Sequence, residues 1–169
     1  MKKLLLAIFI LLFINLHGQE EIPTSLSRDL NRYSAAILSN DFQTAVDMTY
    51  DPFVTINGGD ALYAEALKAT NESNEKAGLI IQSIKPIGYS EIVTFQDEKQ
   101  VLITIKSLYT LATKRFEGEN QVLGISRGDM SLWQFVDLSN QDKESLQIFV
   151  PNMSPALELS EPKPILQID

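Results

Sequence analysis

The chain has 169 residues, 44% of them hydrophobic, a formal net charge of -8 and no cysteine. That length suits one domain with one core, and the acidic balance argues against a partner built on phosphate, whether nucleic acid or anionic lipid. Without Cys there are no disulfides and no thiol nucleophile, and the single histidine, His17, lies in a segment that reads as removable, so a Ser-His-Asp triad and a zinc site of the usual N/S type are excluded with it.

That removable segment opens the chain. Met1-Lys2-Lys3 is positive, residues 4–16 are apolar except for Asn15, and His17-Gly18 leads into the acidic Gln19-Glu20-Glu21. This is the order of a secretory signal, cut between Gly18 and Gln19. The apolar run is about 13 residues, against roughly 20 for a bilayer span, so an uncleaved anchor is the lesser reading. No Cys follows it to carry a lipid. Export to the periplasm or the medium is expected, with no stable membrane anchor after cleavage. Removing residues 1–18 lowers Lys+Arg from 14 to 12 against 22 acids, a net charge of -10.

Residues 19–25 read as a leader. Leu26, Leu30, Tyr33 and Ile37 recur at helical spacing and predict a helix over 26–39, capped by Ser25 or Thr24. Asn40-Asp41 ends it, and Asp41 is placed to cap a second helix through Met48. Asp51-Pro52 stops helix growth, which makes Phe53 to Ile56 a short strand. Asn57-Gly58-Gly59-Asp60 reads as a turn and cap before a third helix over Ala61 to Ala77, ending at Gly78.

The second half turns to strands. Leu79 to Lys85 is the first, and Ile92 to Phe95 and a run from Val101 flank a connection at Asp97-Glu98-Lys99. From Val101 to Phe116 apolar and polar residues alternate: Val101, Ile103, Ile105, Tyr109 and Leu111 on one face, Thr104, Lys106, Thr110 and Lys114 mainly on the other. The run is long for one strand and predicts a bent, bulged one. Turns are expected at Glu117-Gly118-Glu119-Asn120 and at Gly128-Asp129, with strands over Gln121 to Arg127 and Leu132 to Leu138. A short helix at Lys143 to Phe149 follows. Four of the seven prolines fall in 151–169, an extended tail laid along the domain or loose.

Helices followed by an antiparallel meander make an α+β domain over 26–150, a curved antiparallel sheet wrapped around N-terminal helices. Ser39-Asn40-Asp41-Phe42, Asp51-Pro52-Phe53-Val54 before Gly58-Gly59, and the hairpins ending Leu132-Trp133-Gln134-Phe135-Val136-Asp137 carry a resemblance. In element order and in these pieces the chain resembles the nuclear transport factor 2-like fold, also called the cystatin-like or ketosteroid-isomerase-like cone, and small exported bacterial proteins of that fold. The resemblance implies a cone with an interior. It does not choose among enzyme, binding module and assembly domain.

Asp, Glu, Lys and Tyr are the groups left for acid–base work. The isomerase branch of that fold pairs an Asp base with a Tyr donor in an apolar pocket. Here Asp41, Asp47 and Asp51 lie near helix ends, where turn and cap roles explain them, and no catalytic residue is assigned. Tyr33, Tyr63, Ile105, Tyr109 and Leu111 are the pocket candidates, with Tyr109 and Tyr63 read either as polar handles in a ligand site or as core tyrosines.

Ser126 to Trp133 resembles a degraded Asp-box hairpin, a structural turn with Trp133 packed on the domain. Arg127-Gly128-Asp129 is an adhesion tripeptide by chance. Asn57-Gly58-Gly59 lacks the residues of a phosphate loop, no calcium loop is present, and no cofactor or metal is expected. Three functions remain: a non-catalytic module binding a small apolar ligand or a protein partner, an isomerase or dehydratase using Tyr with Asp or Glu, and a structural homodimer through the outer sheet face.

Overall fold

A computed structural model describes residues 22–139 and 143–168. The expected export segment, with the cut between Gly18 and Gln19, lies outside them. The first helix, α1, spans Thr24–Leu38. Neither Thr24 nor Ser25 caps it: the cap position is Pro23, and the Ser25 hydroxyl instead donates to the Met130 carbonyl (2.6 Å) and accepts from Trp133 Nε1 (3.2 Å). Helix α2 is Phe42–Asp47, and Asp41 caps it as expected, taking the Thr44 N–H at 3.1 Å.

Residues 53–56 are not a strand. Helix α3 runs Asp51–Ile56, with Pro52 in its first turn, where its missing N–H and fixed φ do no harm. Phe53 and Val54 turn into the core while Thr55 and Ile56 face solvent, so burial overrides the strand preference of a β-branched run. Helix α4, Asp60–Lys76, follows Gly59, and Gly78 at φ +77 lets the chain leave it.

The sheet has six strands: β1 Leu79–Tyr89, β2 Val93–Phe95, β3 Glu98–Leu111, β4 Lys114–Arg127, β5 Gln134–Asp137 and β6 Leu166–Gln167. It is antiparallel, curved and unclosed, in the order β1-β3-β4-β5, with β2 on β3 and β6 on β4. The fold is α+β, as the sequence predicts.

The long run from Val101 is two strands rather than one bent strand. β3 turns back at Ala112-Thr113, and β4 pairs with it from Leu111↔Lys114 to Glu98↔Arg127 without a break. Ala112 takes φ +57, a place usually given to Gly or Asn, so no turn residue marks the reversal. Glu117 to Asn120, read as a turn, is the middle of β4. The register irregularities that bend the sheet fall on β1, between Ile81 and Ser83 and between Pro86 and Gly88.

Both sheet faces are covered at the β3–β4–β5 end. The inner face presents Val101, Ile103, Val122 and Phe135 to Leu26 and Leu30 of α1 and to Trp133. The outer face presents Leu102, Leu123 and Val136 to Tyr50, Phe53, Leu146, Val150 and Leu157. Leu146 lies in helix α5, Lys143–Phe149, which stands where the sequence placed it. Each such large apolar side chain, fully buried, contributes about 1.5–3 kcal/mol. Period-2 alternation therefore holds only in the middle of β3, at Ile103 to Lys106; toward Leu111 the strand is half-buried on both faces. Toward Glu98 both faces are interior, with Gln100 fully buried.

The C-terminal segment is laid along the domain. Gln100 fastens it: Nε2 donates to the Asn152 carbonyl (2.7 Å) and to Glu98 Oε2 (3.2 Å), and Oε1 accepts from Ser154 N (2.8 Å). Beyond this, Ser160 N donates to Gln121 Oε1 (2.9 Å), Lys163 Nζ reaches Glu119 Oε2 (2.6 Å), and β6 closes the edge of β4 at Phe116 and Glu117.

Candidate functional site

The inner face of the sheet continues past its packed end into open space. Pairing fixes which residues share that face: Ile105 opposite Asn120, Ser107 opposite Gly118, Tyr109 opposite Phe116, and Asp137 opposite Val122. From β1, Leu79, Ile81 and Ile84 join them. Leu30, Tyr33 and Ile37 of α1, each three or four residues apart, form the opposite wall. The cavity between them has a volume of about 910 Å³, and Leu159 to Lys163 of the C-terminal segment complete its rim. Helix α4 closes it only loosely. It has no fully buried residue, and Asn74 at its far end touches the cavity.

Of the five pocket candidates, Tyr33, Ile105 and Tyr109 line this cavity. Tyr63 and Leu111 do not. Tyr63 stacks edge-on against Phe53 (5.8 Å, 81°). Leu111 has the right face but sits at the β3–β4 turn, past the cavity, and is 42% exposed.

Tyr109 lies nearly parallel to Phe116 (6.1 Å, 13°) and reaches across β4 over Gly118. A Cβ there would stand 2.9 Å from the Tyr109 hydroxyl, so the glycine makes room for the phenol. Among the described residues that hydroxyl has no hydrogen-bond partner, and burial alone pushes its pKa up. It is therefore not the backbone-bonded core tyrosine that the sequence allowed.

A polar group forms where β5 meets α1. Asp137 Oδ1 accepts from Asn120 Nδ2 (3.1 Å), Ser139 N (2.8 Å) and Ser139 Oγ (2.5 Å), while Oδ2 takes no hydrogen bond among the described residues. Asn120 also donates to the Ser139 hydroxyl. Tyr33 packs against Phe135 with ring centres 5.3 Å apart. Its phenol pKa is pushed up by burial first, then by the Asp137 charge and by Tyr63, with the Thr49 hydroxyl opposing. Tyr63 is raised by burial, then by Asp137, again against Thr49. Both phenols thus feel the Asp137 charge, and of the two only Tyr33 shares the cavity wall with it. Neither is hydrogen-bonded to it.

Asp137, Asn120 and Ser139 were not singled out from the sequence. One signal existed for Asp137: in Trp133-Gln134-Phe135-Val136-Asp137 the acid holds the phase of two buried aromatics. Asn120 was hidden by the misplaced turn.

The first group is exposed or half-buried; a buried one lies on the outer face. Glu98 Oε1 accepts from the Tyr50 hydroxyl (2.8 Å) and from Arg127 Nε (3.1 Å), and the guanidinium sits 5.6 Å from the centre of the Tyr50 ring. Arg127 is thereby engaged, and Asp129 holds the Ser131 N–H at 3.0 Å, so the Arg-Gly-Asp tripeptide is a turn with its charges in use. Trp133 is fully buried, its backbone N–H on Asp29 Oδ2 (2.9 Å). Among the described residues no cluster of His, Cys, Asp or Glu has the form of a metal site, and no helix is long and apolar enough to cross a membrane.

No protein-family model matches this chain. No curated protein matches it either.

Proposed function

We propose that the protein is an exported, non-catalytic binding module that takes a small apolar or amphipathic ligand into the cavity between α1 and the inner face of the sheet. The observation that carries this reading is the cavity itself. Its volume, about 910 Å³, falls within the range of small-molecule sites, and apolar walls with a few convergent polar groups are the usual make-up of such sites. Among the described residues the half-buried Tyr109 hydroxyl has no protein partner on those walls, and Asp137 Oδ2 is open at the exposed rim. Export rests on the charged, apolar and small-residue order of residues 1–18. The α+β layout is compatible with the nuclear transport factor 2-like cone, whose interior would be this cavity.

The experiment is native mass spectrometry of the purified protein with a thermal-shift screen of small apolar and amphipathic compounds. A bound small molecule, or a saturable rise in Tm with one compound class, is expected. Neither in any class, together with no protein partner, overturns the reading.

One observation favours an isomerase or dehydratase as the second reading: a carboxylate, Asp137, shares the cavity wall with Tyr33. In that case Asp137 would take a proton from carbon and a neutral phenol would donate to the developing oxyanion. Deuterium exchange from solvent into an enolisable ketone, lost in Asp137→Asn, tests it. The homodimer has less support. Thr104 and Lys106 keep the exposed part of the outer face polar, and α5 with the C-terminal segment covers the rest. Light scattering after size exclusion decides that point.

A further inference from the structure

We infer that the cavity selects ligands with a cationic head on an apolar body, the head seated on Asp137 Oδ2. This rests on the cavity being the ligand site and adds the chemical class of what it holds.

The charges on the cavity wall are unbalanced. Asp137, Glu119 and Glu161 supply three carboxylates and Lys163 the one ammonium among the described lining residues. Lys163 is spent on Glu119 at 2.6 Å. An anionic head would therefore meet uncompensated negative charge.

Asp137 is also held in place. It is exposed at the cavity mouth, where three donors converge on Oδ1, which orients the carboxylate and leaves Oδ2 open to water or to a ligand's head. A carboxylate with one oxygen fixed and the other empty is a preorganised acceptor, and a charged donor makes the stronger hydrogen bond to it. Tyr33, on the same cavity wall, adds an aromatic ring, a surface that attracts a cation and does nothing for an anion. A phenol is neutral near pH 7, so it does not add a second negative charge.

The apolar body has a defined track. Along β4, Val122 (level with Asp137) and Phe116 (level with Tyr109) are six residues apart, roughly 20 Å at strand rise, and Ile105, Ile84 and Ile81 line the way. An aliphatic chain of eight carbons fits within that length.

The test is calorimetric titration of the whole protein with octylamine, octanoate and octanol, repeated on Asp137→Asn and Ser107→Trp. Ser107 lies on the inner face at the middle of the track, half-buried, so Trp there fills the cavity without replacing a core side chain. Octylamine is expected to bind at least tenfold tighter than octanoate, with octanol between them. Asp137→Asn should bring the amine within about twofold of the alcohol, and Ser107→Trp should weaken all three at least tenfold.

An amine that binds no tighter than octanoate, a preference that survives Asp137→Asn, or undiminished amine binding to Ser107→Trp overturns the inference. In each of those outcomes the alcohol can still bind and the cavity reading stands. Binding by none of the three overturns the inference, and the wider thermal-shift screen then decides the cavity reading. Should Asp137→Asn fail to fold, the Ser107→Trp comparison and the amine-to-octanoate ratio in the unsubstituted protein decide alone.

Discussion

Gln100→Met tests whether the C-terminal segment is structural cladding of the sheet. The side chains are close in volume, so the change removes polar atoms and little packing. Gln100 is fully buried and makes three hydrogen bonds, to Glu98 Oε2, the Asn152 carbonyl and Ser154 N. Losing it leaves three partners without their bond, two of them on residues, Glu98 and Ser154, that are themselves buried. A buried polar group left unsatisfied costs about 1–3 kcal/mol, and the lower figure for each gives about 3 kcal/mol in all. In a domain of this size one kcal/mol moves Tm by about 2–4 °C, so a fall of about 6–12 °C is expected. Differential scanning calorimetry reads it. Limited proteolysis gives an independent sign, because release of the segment would uncover Val150 and Leu157 and open cleavage sites between them. A fall of less than about 2 °C with unchanged proteolysis would refute the reasoning.

Other outcomes follow from single contacts. Gly118→Ala sets a methyl 2.9 Å from the Tyr109 hydroxyl, so the ring must swing into the cavity; Tm should fall by no more than a few degrees, about 1 kcal/mol, while octanol binding weakens, and Tyr109→Phe in the same chain should recover part of the loss, read by calorimetry. Asp41 has a pKa held below the usual carboxylate range, first by its hydrogen bonds to Thr44. Its contribution to stability is therefore present above the unfolded pKa and is lost as pH falls through the lower, folded one. Asp41→Asn keeps a cap but removes that titration, so urea midpoints of variant and parent should converge at low pH and differ most at neutral pH. Lys163→Ala breaks an ion pair whose lysine is 62% exposed, and its Tm change should stay within about 2 °C, well short of Gln100→Met.

The fold was most legible where one residue type leaves few alternatives. Asp41 ahead of Thr44, Gly78 behind α4 and Gly128-Asp129 after β4 mark ends of elements by side-chain capping and positive φ, and each stands where the sequence put it. Legibility failed where tertiary packing outweighed local preference. Phe53 to Ile56 favours strand by composition, yet two of its residues bury together only on a helix. Ala112 reverses the chain with no glycine to announce it, and Gly118, which looked like a turn, is instead a gap for the Tyr109 ring. That one misplaced reversal also hid Asn120 from the candidate site. Leu102 is buried on the face that the alternation from Val101 made polar, with Gln100 just ahead of that run, because α5 and the C-terminal segment return to cover it, a long-range contact that period-2 patterning does not encode. Tyr33, Ile105 and Tyr109 were found because helix and strand phase each pointed them inward. Leu111 had the phase and lay past the end of the cavity.

The central claim is that the space between α1 and the inner sheet face holds a ligand. Backbone NMR of the labelled protein titrated with octanol tests it most directly. The account predicts saturable, one-to-one shifts at Leu30, Ile84, Ile105, Tyr109 and Asn120, with Leu102, Leu146 and Leu157 of the outer core unmoved. Shifts that never saturate, or that fall on the outer core and leave the inner face still, would contradict it.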